Sequence, residues 1–247
     1  MATENNPFGF LNGLLNVLVI DPDASVKVRL YDPLFMQIPC CSVRYVTSNT
    51  EALQTLKSGK RFHVCITELA INDVEDDPFY ILRHYSSHSS IAVVTSHTSA
   101  AAGAEAVHLG ARAVFDKGDN FDREHFFHTF RRMALINVIN CRFNECLGDT
   151  LTGATRTLFE KQPSTVTEWA DYMKITDRQL RNLWHSGSGF GAKQMLFLHD
   201  CLSAALTFYG RNVCGDGVTT PSIERLFKKQ YALYFSTHRE VLLFILS

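Results

Sequence analysis

The sequence has no apolar run long enough to cross a bilayer and no basic leader near its start. A membrane span needs roughly 18 consecutive apolar residues, and the first 20 residues contain no Lys or Arg. Residues 14–20 run directly into Asp21, which is typical of a β-strand and not of a signal peptide. We therefore expect a soluble, cytoplasmic protein that makes no membrane contact.

The sequence also lacks the common motifs of catalysis and cofactor binding. It contains no Gly-rich phosphate loop, no Ser/His/Asp nucleophile motif and, among its seven cysteines, no C-x-x-C pair. His84 and His88 have helical spacing, as do His125 and His128, but neither pair has a third ligand at metal-site spacing. These absences predict reduced thiols, no metal, no cofactor and no enzymatic activity.

Charge is nearly balanced overall but differs between the two halves of the chain. The net charge is −1, yet residues 1–149 hold 13 Lys and Arg against 17 Asp and Glu, and residues 150–247 hold 11 against 8. The proportions of 46% hydrophobic and 20% charged residues are typical of a folded chain. A net charge of −1 rules out binding to nucleic acid by overall charge alone. The different charge balance of the two halves favours two domains with different partners.

The first half alternates short apolar segments with helical patterns. Predicted strands cover residues 16–20, 42–47, 63–67, 91–95 and 113–115. Predicted helices cover residues 26–36 with a kink at Pro33, 50–58 with Asn49 as N-cap, 79–86, and 100–109 ending at Gly110. This alternation predicts an α/β domain with a parallel sheet and helices on both faces.

Four polar residues lie at the ends of these strands. Asp21 follows the first strand, Glu68 follows the third, Thr95 ends the fourth and Lys117 follows the fifth. In an open parallel sheet the working site lies at the carboxyl ends of the strands. The sequence therefore predicts that two acids, a hydroxyl and a lysine meet in one crevice.

The order, spacing and end residues of the strands resemble the receiver domain of bacterial two-component response regulators. The resemblance covers about residues 15–133 and depends on V-L-V-I-D ending at Asp21, the strand into Glu68, V-V-T-S around Thr95, and G-A-R-A-V-F-D-K ending at Lys117. It implies a flavodoxin-like (βα)5 fold over a domain of residues 1–133. It also implies a protein partner at that domain.

The chain departs from this family at positions that phosphorylation needs. Glu68 stands where the family has its Asp phosphoacceptor, and Pro22 stands where a second acid helps to hold Mg²⁺. Gly118 replaces the family's cis-proline, and Val114 replaces its switch aromatic. We interpret the domain as a degenerate pseudo-receiver in which Glu68 pairs with Lys117 and no phosphoryl cycle occurs. The alternative is a receiver-shaped scaffold whose remaining polar groups only satisfy one another.

A long amphipathic segment over residues 119–148 follows this domain. Residues 134–149 are predicted as a linker helix, with a break at residues 148–150, before a C-terminal domain of residues 150–247. Two faces of the segment carry apolar residues, which favours burial on more than one side. Its own sheet and a second subunit are equally compatible with this pattern. The residues of the two faces are Phe126, Phe130, Met133, Asn137 and Cys141, and Phe127, Ile136, Ile139 and Phe143.

After a short helix over residues 155–161, the chain has the pattern of two helices joined by a tight turn. Thr165 and Glu168 form a predicted capping box for the first helix, and Thr176 is the predicted cap of the second. The inward positions of the second helix are Leu180, Leu183 and Trp184. This arrangement predicts an all-α helix-turn-helix domain whose second helix can enter the major groove.

Residues 155–209 resemble the first half of an AraC-type DNA-binding domain. A G-x-x-x-K element at residues 189–193 follows the second helix, as in that family, whereas Lys174 stands where the family's turn has Gly. Residues 222–229 resemble the recognition helix of a second helix-turn-helix, but the preceding chain is too short for a full unit. We therefore expect a truncated or remodelled second unit. The apolar residues 241–246 must be buried against another surface.

The exposed side of the second helix is the candidate DNA-binding surface. Arginine pairs with guanine edges or phosphate, glutamine and asparagine read adenine, and hydroxyl or lysine groups at helix starts suit phosphate. The alternative is that these are ordinary solvated polar residues. The candidate residues are Thr176, Arg178, Gln179, Arg181, Asn182, His185 and Lys193.

These features together predict a sequence-specific DNA-binding transcription regulator with a phosphorylation-independent pseudo-receiver. A homodimer would supply two reading helices to double-stranded DNA. One alternative is a protein-interaction adaptor that has lost DNA binding. Another is a DNA-binding regulator with a small-molecule ligand in the crevice of the receiver half.

Overall fold

Five short apolar segments form a β-sheet in the computed structural model of the chain. The strands are β1 Leu15–Ile20, β2 Cys41–Val46, β3 Val64–Thr67, β4 Ser90–Thr95 and β5 Ala113–Asp116. The structure describes residues 13, 15–36, 38, 40–71, 89–97, 99–119, 121–143, 149–188 and 191–200. All five strands lie within a residue or two of their predicted positions.

The sheet is parallel throughout, with the strand order β2-β1-β3-β4-β5. In the register of the sheet, Ile20 pairs with Val46 and Thr67, while Thr95 pairs with Asp116. This order is that of the flavodoxin-like fold, which receiver domains share. The predicted fold class is therefore confirmed for the N-terminal part of the chain.

Alternate residues of the central strands enter two separate cores because successive side chains of a strand point to opposite faces. Val17 and Val19 of β1 contribute to one hydrophobic cluster, whereas Leu18 and Ile20 contribute to the other. Every residue of β3 and β4 is buried. Such complete burial is expected for parallel strands covered on both faces.

The first helix, α1, has three successive parts: an α-helical turn Ala24–Val26, a π-helical stretch Lys27–Tyr31 and a second α-helical part Asp32–Phe35. The backbone N–H of Asp32 bonds the carbonyl of Lys27, five residues back. Pro33 comes next and has no N–H to donate. The sequence predicted a kink or a break at Pro33; the helix continues through the proline, and the departure from α-helical bonding is a π-helical stretch just before it.

Helices α2 Asn49–Lys57 and α3 Ala100–His108 both begin at serine caps. The prediction of Asn49 as the cap of α2 was wrong: the Ser48 hydroxyl accepts the Glu51 N–H at 3.1 Å. Asn49 is buried, and its amide donates to the Ile71 carbonyl at 3.4 Å. Gly110 ends α3 with φ 107°, as predicted. The helix predicted over residues 79–86 lies outside the described residues.

Helix α4 runs over Arg123–Phe143 and is about 31 Å long at 1.5 Å per residue. It begins four residues later than predicted, because the Asp122 carboxylate accepts the His125 N–H and caps it there. Phe126 and Phe130 stack at 6.1 Å, and Phe130 meets Phe35 of α1 at 5.5 Å. The helix is continuous across residue 133, where a linker was predicted to begin.

The described apolar side chains of α4 are covered by the chain's own sheet and helices. Phe127 is buried in the hydrophobic cluster that contains Val17 and Val19 of β1, and Ile136 packs against that cluster. The Asn137 amide donates to the His63 carbonyl at 2.6 Å. Both predicted apolar faces are therefore occupied within one copy of the chain over residues 123–137. The side chains of residues 138–143 lie outside the described part.

Four further helices follow within the described residues: α5 Asp149–Lys161, α6 Val166–Tyr172, α7 Asp177–Ser188, and α8 over residues 192–200. The predicted helix start at Thr155 was wrong, since α5 already begins at Asp149; of the predicted break at residues 148–150, Asp149 and Thr150 are helical and residue 148 lies outside the described part. Trp169 and Trp184 are fully buried with ring centroids 5.4 Å apart. The Trp169 indole donates to the Ala154 carbonyl at 3.0 Å, which ties α6 to α5.

Close packing in this group of helices depends on a small residue in α7. A Cβ atom at Gly187 would overlap Cδ1 of buried Leu151 in α5. The same hydrophobic cluster contains Leu135 of α4, Leu158 of α5 and Leu180 of α7. No helix within the described ranges is both long and apolar enough to span a membrane.

The connection from α6 to α7 is a Schellman motif. Lys174 has φ 57° and donates its N–H to the Asp171 carbonyl at 3.0 Å, while the Ile175 N–H bonds the Ala170 carbonyl at 3.1 Å. A left-handed conformation favours glycine because a Cβ atom strains it. Lys174 stands at the position where the turn of AraC-type domains usually has Gly. The lysine therefore adopts a strained backbone conformation there.

We predict that Lys174→Gly stabilises the fold by about 0.5–1 kcal/mol, because relief of the left-handed strain exceeds the entropy that glycine loses on folding. Urea denaturation followed by tryptophan fluorescence measures this through the buried Trp169–Trp184 pair. Lys161→Gly, in the last turn of α5, is the matched control and should lower stability by a similar amount. A loss of stability in Lys174→Gly would contradict the strain argument.

Candidate functional site

The sheet brings the four predicted crevice residues together at the carboxyl ends of β1, β3, β4 and β5. Asp21, Glu68 and Thr95 are buried, and the Lys117 side chain is 8% exposed. Asp21 N–H bonds the Val46 carbonyl, and Glu68 N–H bonds the Ile20 carbonyl. These backbone bonds extend the sheet ladder by one residue and fix where both carboxylates leave the strands.

Lys117 forms ion pairs with both acids. Its Nζ lies 2.8 Å from the Asp21 carboxylate and 2.9 Å from Glu68 Oε2. The ion pair between Glu68 and Lys117 predicted from sequence is therefore present, and Asp21 is a second partner of the same ammonium. The positive charge sits between two carboxylates, where it offsets their mutual repulsion.

Both oxygens of the Glu68 carboxylate have partners. Oε2 contacts Lys117, and Oε1 accepts the Leu69 N–H at 2.7 Å. Burial opposes the charged form of Glu68, but hydrogen bonds from Thr95 and Lys117 together hold its pKa below the ordinary value. Thr95 also accepts the His97 N–H at 3.0 Å, so its hydroxyl proton is available for Glu68. Glu68 is therefore a fixed negative charge in this site.

Lys117 is held in its charged form by the same contacts. Burial by itself lowers the pKa of a lysine, but hydrogen bonds to Asp21 and Glu68 raise the pKa of Lys117 above its ordinary value. The backbone N–H of Asp23 donates to Asp21 Oδ1 at 3.0 Å. Asp21, Glu68 and Lys117 thus form one buried, hydrogen-bonded cluster.

Tyr31 of α1 belongs to this cluster, although sequence reasoning missed it. Its hydroxyl lies 3.4 Å from Asp21 Oδ2, and burial together with the Asp21 charge raises the pKa of Tyr31 well above its ordinary value. The pattern of α1 places Tyr31 beside buried Leu30 and Leu34, which predicts burial. Nothing in the pattern predicts the contact with Asp21, which depends on the approach of α1 to β1.

An open cleft of about 310 Å³ lies above the charged cluster. Glu68 and Lys117 form part of its floor, and Arg29, His97 and Asp23 lie among the residues around it. Pro22 is exposed beside Asp21 and offers no side-chain carboxylate. In the described part of the chain, no three metal-binding side chains come together. A hard divalent cation prefers several oxygen ligands, and the carboxylates here already contact an ammonium group.

A second group of predicted site residues lies on α7 and α8. Arg178, Gln179, Arg181, Asn182 and His185 are exposed on α7, and Leu180 and Trp184 are fully buried on its other side. The predicted inward positions of α7 are confirmed, with Leu183 partly buried. The remaining predicted residues, Thr176 and Lys193, are also exposed.

The cap of α7 is a full capping box, whereas at α6 the glutamate bonds the residue before the cap and not the cap itself. The Thr165 hydroxyl accepts the Glu168 N–H at 3.1 Å, and Glu168 reaches back to the Ser164 N–H at 2.7 Å. At α7, the Thr176 hydroxyl accepts the Gln179 N–H at 3.2 Å, and Gln179 Oε1 accepts the Thr176 N–H at 2.8 Å. Both threonine caps agree with their predicted positions, and the box at α7, which was not predicted, has the spacing T-x-x-Q.

Several predicted elements fall outside the described residues. They are residues 189–190 of the G-x-x-x-K element, the end of the long helix over residues 201–209, the second recognition helix over residues 222–229 and the apolar residues 241–246. Their roles stay predictions from the sequence.

The solved structures similar to this chain include receiver domains of response regulators. One is the signal receiver domain of an HD domain-containing protein from Pseudomonas fluorescens Pf-5, with 15% identity, a TM-score of 0.42, and coverage of 48% of this chain and 93% of that one. Another is a response regulator receiver protein from Pseudomonas putida, with 22% identity, a TM-score of 0.42, and coverage of 48% and 96%.

A third similar structure is a response regulator from Burkholderia pseudomallei with a phosphorylated aspartic acid, a calcium ion and citrate. Its identity is 20%, its TM-score is 0.41, and the similarity covers 67% of this chain and 96% of that one. No protein-family model matches the chain, and no curated protein matches it.

We predict that Lys117→Met destabilises the fold by about 3–5 kcal/mol at pH 7.5, because it leaves two buried carboxylates without their counter-charge. In the wild-type protein the pKa of Glu68 is lowered, so its contribution to stability is present at neutral pH and lost as the pH falls through that pKa. In the variant, burial and the Asp21 charge raise the pKa of Glu68 above its ordinary value. Protonation then stabilises the variant as the pH falls from 7.5 to 5.0.

The measurement is the free energy of unfolding in urea at both pH values, compared with the wild-type protein. The difference in free energy of unfolding between the variant and the wild-type protein should be smaller at pH 5.0 than at pH 7.5. Arg112→Met, at an exposed position next to β5, is the control and should change stability little at either pH. An equal gap at pH 7.5 and 5.0 would show that the loss comes from packing and not from charge.

Proposed function

We propose that the chain is a sequence-specific DNA-binding transcription regulator whose receiver-like half acts without phosphoryl transfer. The observation that carries this proposal is the exposed polar face of α7, held opposite a buried tryptophan pair. A helix of this kind, presented by a preceding helix and a short turn, is what major-groove recognition requires. The resemblance of residues 155–209 to AraC-type domains supports the same function.

The frame around α7 supports a rigid presentation of that face. Trp169 packs on Trp184 between α6 and α7, and Leu180 is fully buried. The Schellman motif at Lys174 fixes the direction in which the chain enters α7. A recognition helix must be held in position by its own domain, because the contacts to base edges are directional.

The charged cluster supports a receiver half that does not depend on a phosphoryl cycle. Glu68 already places a negative charge against Thr95 and Lys117, with both carboxylate oxygens in use. Pro22 removes a ligand that a catalytic cation would need. We therefore propose that this half regulates through contact with a protein partner or with its own copy.

A homodimer fits the proposed function because two-fold symmetric regulators read two half-sites about one helical turn apart. The described residues present one reading helix per chain, α7. Two copies would place two such helices on one operator. The long helix α4, which joins the receiver half to the helices that follow, would couple the association of the receiver halves to the spacing of the reading helices.

The test of DNA binding is fluorescence anisotropy of the full chain on a pool of promoter fragments from its own genome, across a salt series. We expect saturable binding that weakens as salt increases, because the protein displaces counterions from phosphates. Arg178→Ala should weaken binding, whereas Arg112→Ala, an exposed arginine of the receiver half, should not. Absence of binding at low salt would favour an adaptor that has lost DNA binding.

The test of the receiver half is incubation with acetyl phosphate and Mg²⁺, followed by intact-protein mass spectrometry. We expect no phosphoryl adduct on the wild-type chain, because Glu68 is ion-paired and Pro22 supplies no ligand. The double variant Pro22→Asp/Glu68→Asp restores the carboxylates that the family uses and is the matched comparison. A phosphoryl group on Glu68 of the wild-type protein would overturn this part of the proposal.

A further inference from the structure

The polar residues of α7 fall into two groups according to their distance from its buried side. At 100° per residue on a helical wheel, Arg178, Asn182 and His185 lie about 100° or more from Leu180, Leu183 and Trp184. Gln179 lies about 40° from Leu183, and Arg181 lies about 60° from Trp184. The first three residues therefore form a stripe along the outermost side of the helix, and the other two lie on its flanks.

Gln179 is committed to the start of the helix. Its side-chain oxygen accepts from both the N–H and the hydroxyl of Thr176, at 2.8 and 2.9 Å. Its own N–H donates to the same hydroxyl at 3.2 Å. An adenine contact through the amide would require this oxygen to leave the capping box, and the N-terminus of α7 would lose its cap.

Arg181 is also engaged within the domain. Its guanidinium lies 3.7 Å from the Asp177 carboxylate, which in turn accepts a hydrogen bond from Thr167 of α6 at 3.0 Å. This holds the arginine toward the flank of α7 nearest to α6. The flanks of a helix in the major groove face the sugar-phosphate backbone, so this position suits a phosphate contact.

The three residues of the outer stripe differ from Gln179 and Arg181 in their side-chain contacts. Over the described ranges, the structure gives the side chains of Arg178, Asn182 and His185 no hydrogen bond and no ion pair. All three are exposed. Their polar groups are available to a ligand without the loss of any contact that holds the fold.

We propose that Arg178, Asn182 and His185 read base edges, whereas Gln179 positions the helix through its cap and Arg181 contacts the DNA backbone. This inference depends on the proposed DNA-binding function. It adds which residues of α7 contact bases, which contacts the DNA backbone and which only positions the helix. Arginine pairs with guanine O6 and N7, and asparagine pairs with adenine N6 and N7. Arg178 and Asn182 are separated by about 6 Å along the helix axis, which matches about two base-pair steps.

The experiment is selection from a random library of double-stranded DNA with the full chain and four variants. Arg178→Ala and Asn182→Ala should each relax the preference at one base position, by about 5- to 150-fold for a bidentate contact. Arg181→Ala should weaken binding to all sequences alike and reduce the slope of log affinity against log salt by about one.

The deciding variant is Gln179→Glu. A glutamate keeps the side-chain oxygen that accepts the Thr176 N–H, so the cap survives, but it loses the amide donors that adenine would need. We expect the same base preference as in the wild-type chain at every position, with a uniformly lower affinity from the added negative charge. Gln179→Ala, which removes the cap, should instead lower the melting temperature of the free protein.

Three outcomes would overturn the inference. A changed base preference in Gln179→Glu would make Gln179 a reader, and a uniform loss of affinity in both Arg178→Ala and Asn182→Ala would remove them from base contact. In either case the proposed DNA-binding function would stand. Failure of the wild-type chain to select any sequence or to bind at low salt would overturn that function and the inference together.

Discussion

The buried ammonium group of Lys117 between Asp21 and Glu68 is the interaction on which the N-terminal half depends. It joins the ends of β1, β3 and β5, which are not neighbours along the sequence. Buried charges are costly to desolvate, and such a cluster persists only where each charge has partners of good geometry. The same contacts that stabilise the fold also lower the pKa of Glu68 and keep it ionised.

The second half depends on a different interaction, the packing of Trp169 on Trp184. It fixes α6 against α7, while the indole of Trp169 ties α6 to the Ala154 carbonyl of α5. Leu135 of α4 belongs to the same hydrophobic cluster as the core residues of α5 and α7. The helix that covers the sheet thus contacts α5 and belongs to the same hydrophobic cluster as the core residues of α6 and α7.

The strands and the meeting of Asp21, Glu68, Thr95 and Lys117 could be predicted from the sequence pattern, whereas the flavodoxin-like order followed from the resemblance to receiver domains. Apolar runs that end in polar residues define where parallel strands stop, and the carboxyl ends of such strands share one edge. The cap of α2 could not be predicted, because Ser48 and Asn49 are both good caps and only the tertiary contact of Asn49 with Ile71 decides between them. The start of α5 was misjudged for a related reason: Asp149 and Thr150 have weak intrinsic helix propensity, yet Leu151 and Ala154 are buried against neighbouring helices.

The sequence by itself determined the periodicities, the residue types at the strand ends and the capping patterns, because these depend on the chemistry of near neighbours along the chain. Only the tertiary structure decided how those groups are used. It paired Lys117 with two acids instead of one, and it placed Tyr31 beside Asp21. The physical reason is that a hydrogen bond or ion pair forms only when its two atoms are placed to within a few tenths of an ångström. For residues far apart in the sequence, the packing of whole helices and strands sets that placement.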